Sequence, residues 1–116
     1  MINLKELTDQ FINAAVGHGK GTLSGDSDRT NREHDRIIET LKSIHSADPS
    51  FEVLVPLLQN EDMSVRTWAA TYLLPHQTER ALKVLDDASK EKGLVAFSAG
   101  ITANEWREGR LKLLID

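Results

Sequence analysis

The stretch Glu52–Leu74, EVLVPLLQNEDMSVRTWAATYLL, decides the predicted fold of this chain. Its apolar residues predict two helices, which are joined by the short polar turn Asn60–Asp62. Asp62 stands where its carboxylate would accept N–H bonds from the first turn of the second helix. Small apolar residues then recur at helical spacing, at Val65 and Ala69. The pattern predicts a hairpin of two helices.

Four further segments, two on each side of the hairpin, also carry apolar residues at helical spacing. Thr30 and Glu33 have the spacing of a capping box, which predicts the start of one helix. Asp48 and Pro49 predict the start of the next, as its N-cap and its first helical residue. The whole chain, residues 1–116, is therefore predicted to be one all-α domain of about six helices in three antiparallel hairpins. Outside the hairpin of residues 52–74, the predicted helices cover residues 2–16, 30–46, 77–89 and 93–106.

Residues 17–29 are predicted to be a loop, because four glycines interrupt the helical pattern there. The run Gly-His-Gly-Lys-Gly-Thr at 17–22 lacks the spacing of a phosphate-binding loop, and no strand precedes it. Asp26 and Asp28 alone fall short of a twelve-residue calcium-binding loop. We expect a flexible linker, and an adaptable contact surface is the alternative.

The hairpin resembles a HEAT repeat. The resemblance is carried by Pro56 within the first helix, by the turn Asp62–x–x–Val65–Arg66, and by the small pair Ala69–Ala70. It implies a short α-α superhelix, in which the arginine braces adjacent turns. A wider resemblance, to small bacterial HEAT-like proteins of unknown function, adds Asn31–Arg32, Asp35–Ile37, Trp68, Glu105–Trp106 and Gly109.

A second copy of the apolar stripe supports a repeat. Val65 and Ala69 correspond to Val95 and Ala99, and this offset of 30 residues suits two-helix repeats. Ala96 stands where the later copy would carry arginine, and terminal repeats that cap a stack are often atypical. The apolar tail, residues 111–115, is predicted to fold back on the last hairpin, with an exposed end as the alternative.

Composition narrows the class of protein. The chain has no cysteine, so no disulfide framework or thiolate metal site is predicted, and a cytoplasmic location is expected. No apolar run reaches the length of a membrane span, and the start of the sequence lacks the apolar core of a secretory signal. A net charge of −4 disfavours binding to nucleic acid and suits a basic protein partner.

The sequence contains no recognisable catalytic constellation. The four histidines form no His–x–x–x–His pair, so neither a metal site nor another cofactor is predicted, and exposed or capping roles are expected for them. The serines lack the strand context of a nucleophile elbow. The neighbouring carboxylates of Glu61–Asp62 and Asp86–Asp87 would point to different faces and make poor acid–base pairs. The chain is predicted not to be an enzyme.

The predicted function is protein binding. By analogy with small HEAT-like proteins, a concrete form is an immunity or inhibitor protein that occludes a cognate toxin or enzyme. The alternatives are a HEAT-like enzyme or domain that binds a small ligand or metal, and a structural adaptor or homo-oligomeric subunit. Sequence alone leaves the partner, the binding face and the oligomeric state open. The residues predicted to contact the partner are acidic or aromatic: Glu61, Trp68, Asp86, Asp87, Glu105, Trp106 and Glu108.

Overall fold

The computed structural model describes residues 3–115, which contain helices and no strand. The all-α prediction is confirmed, although residue 2, where the first helix was predicted to start, lies outside the described residues. None of the helices in residues 3–115 combines the length and the apolar character that crossing a membrane requires. The elements are α1 (Leu4–Ser24), α2 (Ser27–Ala47), a 3₁₀ helix (Glu52–Gln59), α3 (Met63–Leu73), α4 (Thr78–Ser89) and α5 (Leu94–Arg107).

Helices that are neighbours in sequence pack as pairs: α1 with α2, the 3₁₀ helix with α3, and α4 with α5. The link between α1 and α2 is only two residues long, so these two helices run in opposite directions. α3 also contacts α1, α4 and α5, and it therefore lies at the centre of the molecule. Every helix contributes to one apolar core, for example through Phe11, Leu41, Leu54, Leu73 and Ala99.

The turn before α3 has the predicted cap and brace. Asp62 Oδ1 accepts a bond from the backbone N–H of Val65 at 3.1 Å. The Arg66 guanidinium donates to the carbonyl oxygens of Asn60 and Glu61, at 2.9 and 3.0 Å. Its other terminal nitrogen lies 3.6 Å from a carboxylate oxygen of Glu91, in the connection between α4 and α5. The arginine therefore braces two successive turns, as predicted.

The element before this turn differs from the prediction. It is a 3₁₀ helix rather than a bent α-helix, and it begins at Glu52 rather than at Pro49. Phe51 is fully buried and has a left-handed backbone (φ 57°), which separates the Pro49 turn from the helix. Pro56 lacks the N–H that a longer α-helix would need there. Asp48 instead accepts a bond from the N–H of residue 53 at 2.9 Å, across the turn.

The predicted loop at residues 17–29 is wrong for most of its length. α1 continues without interruption to Ser24, and α2 begins at Ser27. Gly25 ends α1 in a left-handed conformation (φ 74°) that favours glycine. The real connection is therefore a tight turn rather than a flexible linker.

Close packing explains why α1 contains glycines. A Cβ at Gly17 would lie 2.8 Å from the carboxyl carbon of Glu33 on α2, and a Cβ at Gly19 would lie 2.9 Å from Cβ of Ser64 on α3. At Gly19 the overlap is with a Cβ fixed to the backbone of α3, so a side chain has no room there, whereas at Gly17 the flexible end of Glu33 would have to move aside. Each glycine costs about 1 kcal/mol in helix propensity relative to alanine. Here that cost is offset by the close approach of two neighbouring helices.

The predicted capping box is also wrong, because α2 starts three residues before Thr30. Its N-cap is Asp26, whose carboxylate accepts from the N–H of Arg29 at 3.1 Å. The Thr30 hydroxyl donates to the Asp26 carbonyl oxygen at 2.9 Å, as a residue within a helix does. Glu33 pairs with Arg36 at 2.7 Å instead of reaching back to a cap.

The apolar tail folds back on the core rather than remaining exposed; the finer prediction, that it folds on the last hairpin, stays a prediction. Ile115 is buried, and Leu111 and Leu113 are half-buried against the core. The backbone of Leu114 lies close enough to the Tyr72 phenol on α3 to act on its pKa, lowering it against the larger effect of burial, which raises it. The tail therefore covers part of α3, at the centre of the molecule.

Candidate functional site

A cavity of about 240 Å³ lies where α1, α3 and α5 meet. Each helix lines it with residues three or four positions apart, which share one helical face. α1 and α3 provide six of the lining residues: His18 and Thr22, then Ser64, Thr67, Trp68 and Thr71.

The opposite wall is formed by α5, and Leu85 of α4 completes the lining. The lining positions of α3 and α5 have the same spacing at a constant offset of 31 residues, one more than the offset of 30 predicted for the repeat. The two helices therefore present stripes of the same spacing to the cavity, and at two of the four corresponding positions both helices carry a hydroxyl. The pairs are 64 with 95, 67 with 98, 68 with 99, and 71 with 102.

The threonine hydroxyls of the cavity all donate their protons to carbonyl oxygens of their own helices. Thr22, Thr71 and Thr102 donate their protons to carbonyl oxygens one turn earlier in their own helices, at 3.0, 2.7 and 3.0 Å. Thr67 donates to the carbonyl oxygen of Ser64 at 3.3 Å. Their oxygens keep lone pairs, so toward a ligand these four threonines accept hydrogen bonds rather than donate them.

Two histidines hold the indole of Trp68 beside the cavity. The rings of His18 and His34 meet Trp68 edge-on, with centroids 5.2 and 5.9 Å away. Tyr72 stacks nearly parallel to the indole at 6.4 Å. Because three rings from α1, α2 and α3 surround Trp68, its orientation is set by packing.

His18 is the titratable residue of the cavity wall. Burial, and secondly the nearby charge of His34, lower the pKa of His18 from its ordinary value of 6.5, while Glu33 acts in the opposite direction. The imidazole therefore favours its neutral form. The sequence analysis did not place His18 within a helix, because the glycines on either side of it predicted a loop.

The predicted contact residues Asp86 and Asp87 form ion pairs within the described chain. Arg107 of α5 holds the Asp86 carboxylate through both terminal nitrogens, at 2.9 and 2.5 Å. This bond lowers the pKa of Asp86. Asp87 bonds Lys83 at 2.9 Å and lies 3.7 Å from Lys90. A partner that used these carboxylates would have to compete with these cations.

The other predicted contact residues are dispersed. Trp68 is half-buried in the cavity wall, and Trp106 is half-buried against the core. Glu105 and Glu108 share Arg110, at 3.1 and 3.5 Å. The side chain of Glu61 is exposed in the turn before α3.

One side of α5 exposes three large apolar side chains that the sequence analysis did not single out. Leu94, Phe97 and Ile101 are 55%, 67% and 46% exposed. Their spacing places them on one side of the helix, and Glu105 and Glu108 continue that side. We call Leu94, Phe97 and Ile101 the α5 face. The signal in the sequence is that α5 has more apolar residues than one buried stripe requires.

No metal centre is formed by the part of the chain that the structure describes. Within residues 3–115, no three side chains of His, Cys, Asp or Glu converge in a way that would hold an ion. His18 and His34 approach each other, with ring centroids 6.5 Å apart, but no third ligand joins them.

No protein-family model matches this sequence, and no curated protein matches it either. A solved structure does match: the protein RPA1889 from Rhodopseudomonas palustris CGA009, with a TM-score of 0.88 and 21% sequence identity. The match covers 97% of this chain and 95% of that one. At this level of identity the likeness shows the fold alone.

Proposed function

We propose that this chain is a protein-binding helical module whose partner docks on the α5 face. The observation that carries the proposal is the exposure of Leu94, Phe97 and Ile101 on one side of one helix. Single exposed apolar residues are ordinary, whereas a contiguous group suggests an interaction surface. Phe97 is the most exposed of the three and is the natural anchor for a pocket on the partner.

A HEAT-like superhelix is part of the same proposal. Three successive helical pairs, a capped turn at Asp62 and the brace made by Arg66 support it. The contact from Arg66 to Glu91 links the turn of one pair with the turn of the next. In a stack of repeats each unit contacts its neighbours in this way, and terminal units cap the stack. α5 is the last helix of the series.

The charge of the chain favours a basic partner. The net charge is −4, and Glu105 and Glu108 lie on the same side of α5 as the apolar group. A basic rim on the partner would be steered toward this side and would compete for the carboxylates that Arg110 now holds. The concrete form is an immunity or inhibitor protein that covers the active site of a basic toxin or enzyme. Glu61, Trp68, Asp86, Asp87 and Trp106 remain secondary candidates for contact.

Affinity capture with three baits tests the proposal. The baits are the wild type, the double variant Phe97→Ser with Ile101→Ser, and the control Leu114→Ser, which removes an equally exposed leucine from the tail. Bound proteins from a lysate of the source organism are identified by mass spectrometry, and the recovered partner is then titrated against each purified variant.

We expect one basic protein to be recovered by the wild type and by the control. The double variant should bind it at least about 30-fold more weakly, since loss of an anchor costs about 2 kcal/mol or more. Equal recovery by all three baits would contradict the proposal. Light scattering gives a second check: a dimer that Phe97→Ser dissociates would assign the α5 face to a second copy of the chain and would also contradict it.

A further inference from the structure

We infer that the cavity between α1, α3 and α5 binds a small, uncharged aromatic ring that carries at least one N–H or O–H donor. This inference does not depend on the docking of a protein at the α5 face. It rests on the size of the cavity, the absence of charged groups from its lining, the polarity of its hydroxyls and the fixed position of Trp68.

The size of the cavity limits the ligand to one or two rings. Its volume is about 240 Å³, whereas an apolar cavity of about 150 Å³ accommodates benzene. Sites for drug-sized ligands begin at about 300 Å³. A single ring with substituents, or a fused pair of rings, therefore fits.

The lining excludes a charged ligand. Among its residues there is no Asp, Glu, Lys or Arg to compensate a charge. His18 favours its neutral form, because burial lowers its pKa. An ion would lose its hydration without gaining a partner, which is costly in a site of this kind.

The threonine hydroxyls favour a donor on the ligand. Four threonines, on α1, α3 and α5, have already donated their protons to helix carbonyls. A ligand without a donor would cover the free lone pairs of these oxygens and displace any water bonded to them, with no hydrogen bond in return. A ligand with an N–H or O–H group satisfies at least one of them.

The remaining surface suits a flat ring. The indole of Trp68 lines the cavity, and its position is fixed by His18, His34 and Tyr72. Leu85, together with the threonine methyl groups, supplies apolar contact. A wall that is rigid before binding loses little conformational entropy when a ring packs against it.

Two pairs of matched probes test the inference: phenol with anisole, and indole with 1-methylindole. Within each pair the ring is the same and only the second compound lacks the donor. Each probe is titrated into the isotope-labelled protein, and binding is followed through the backbone amide signals of residues 64–71 and 95–102.

Phenol and indole should shift these amide signals, and their analogues should bind about 5- to 30-fold more weakly. Equal binding within both pairs would overturn the inference. So would the absence of shifts up to the solubility limits of phenol and indole, which would indicate a cavity filled only with water. Shifts that map to another part of the molecule would also overturn it.

Two variants with matched controls locate the site. Thr71→Val keeps the shape of a cavity residue but removes its acceptor, and Thr8→Val makes the same change in α1 outside the cavity, where Thr8 also donates to its own helix, at 2.8 Å. Thr71→Val should weaken indole about 5-fold or more and leave 1-methylindole unchanged, whereas Thr8→Val should affect neither probe. Unchanged binding of indole to Thr71→Val, with weaker binding to Thr8→Val, would overturn the inference.

The second variant obstructs the cavity from an exposed position, so that folding is not at risk. Ser98→Trp places a large ring at the rim, and Asn104→Trp is the control on the same helix. Binding of indole should be lost only in Ser98→Trp. Phe97→Ser should retain indole binding, so a failure of the docking proposal and a failure of this inference are distinguishable.

Discussion

Replacing Gly19 by alanine perturbs the contact between α1 and α3 directly. The new Cβ would lie 2.9 Å from Cβ of Ser64, whereas non-bonded carbon atoms pack at about 3.5–4.0 Å. The helices must therefore separate by about 0.6 Å or more at this point. Cβ of Ser64 is attached to the backbone of α3, so no rotation of a side chain relieves the overlap.

Two opposing terms set the magnitude. Overpacking of this kind costs about 1–3 kcal/mol, and the change from glycine to alanine returns about 1 kcal/mol of helix propensity. The expected net result is a loss of about 1 kcal/mol in the free energy of unfolding, or roughly 4 °C in Tm. Urea unfolding followed by circular dichroism measures this loss.

Gly100→Ala is the matched control, because it makes the same change within α5. Its Cβ would lie 3.3 Å from Cβ of Ser89, a much milder contact. This variant should be as stable as the wild type or slightly more stable. The double variant Gly19→Ala with Ser64→Gly should be more stable than the summed effects of the two single changes predict, by a coupling free energy of about 0.5 kcal/mol or more. If Gly19→Ala is no less stable than Gly100→Ala, the packing argument is refuted.

Three further predictions concern titration, the brace and a surface ion pair. Folding lowers the pKa of His18, so this residue is protonated more readily in the unfolded chain. The free energy of unfolding should therefore fall as the pH drops below 6.5 and level off below the lowered pKa. If His18→Gln shows the same pH profile as the wild type, this prediction is refuted. Arg66→Ala should lower the free energy of unfolding in urea by about 1–3 kcal/mol. Arg66→Lys should recover only part of this loss, because lysine lacks the forked guanidinium that reaches two carbonyl oxygens. Full recovery by lysine would count against the brace. Arg107→Ala should raise the pKa of Asp86 toward its usual value in an NMR titration while stability changes little, and an unmoved pKa would refute the pairing.

The parts of the fold that depend on local chemistry were predictable from the sequence. The cap at Asp62 needs only the spacing between a carboxylate and the first helical turn. The helices after residue 62 have ordinary apolar stripes, and their observed bounds lie close to the predicted ones. Here local preference and tertiary packing agree.

The first two helices were predicted less well, because tertiary packing overrides local preference there. Gly17 and Gly19 resemble loop residues until the positions of Glu33 and Ser64 are known. Likewise, the left-handed backbone of Phe51 depends on the burial of its ring. No single window of sequence contains these contacts.

The candidate sites were missed for related reasons. The cavity combines stripes from three helices, and one of them was assigned to a loop around His18. The α5 face was hidden because Phe97 and Ile101 resemble core residues in an apolar helix. The predicted acidic contacts were chosen without knowledge of their partners, such as Arg107 for Asp86.

Hydrogen exchange of the captured complex tests the central claim, that a protein partner docks on the α5 face, most directly. Backbone amides of the free chain are compared with those of the complex, residue by residue. We expect the added protection to concentrate in α5, residues 94–107, with α2 unchanged. Protection confined to α2 or to the 3₁₀ helix, with α5 exchanging as in the free chain, would contradict the account.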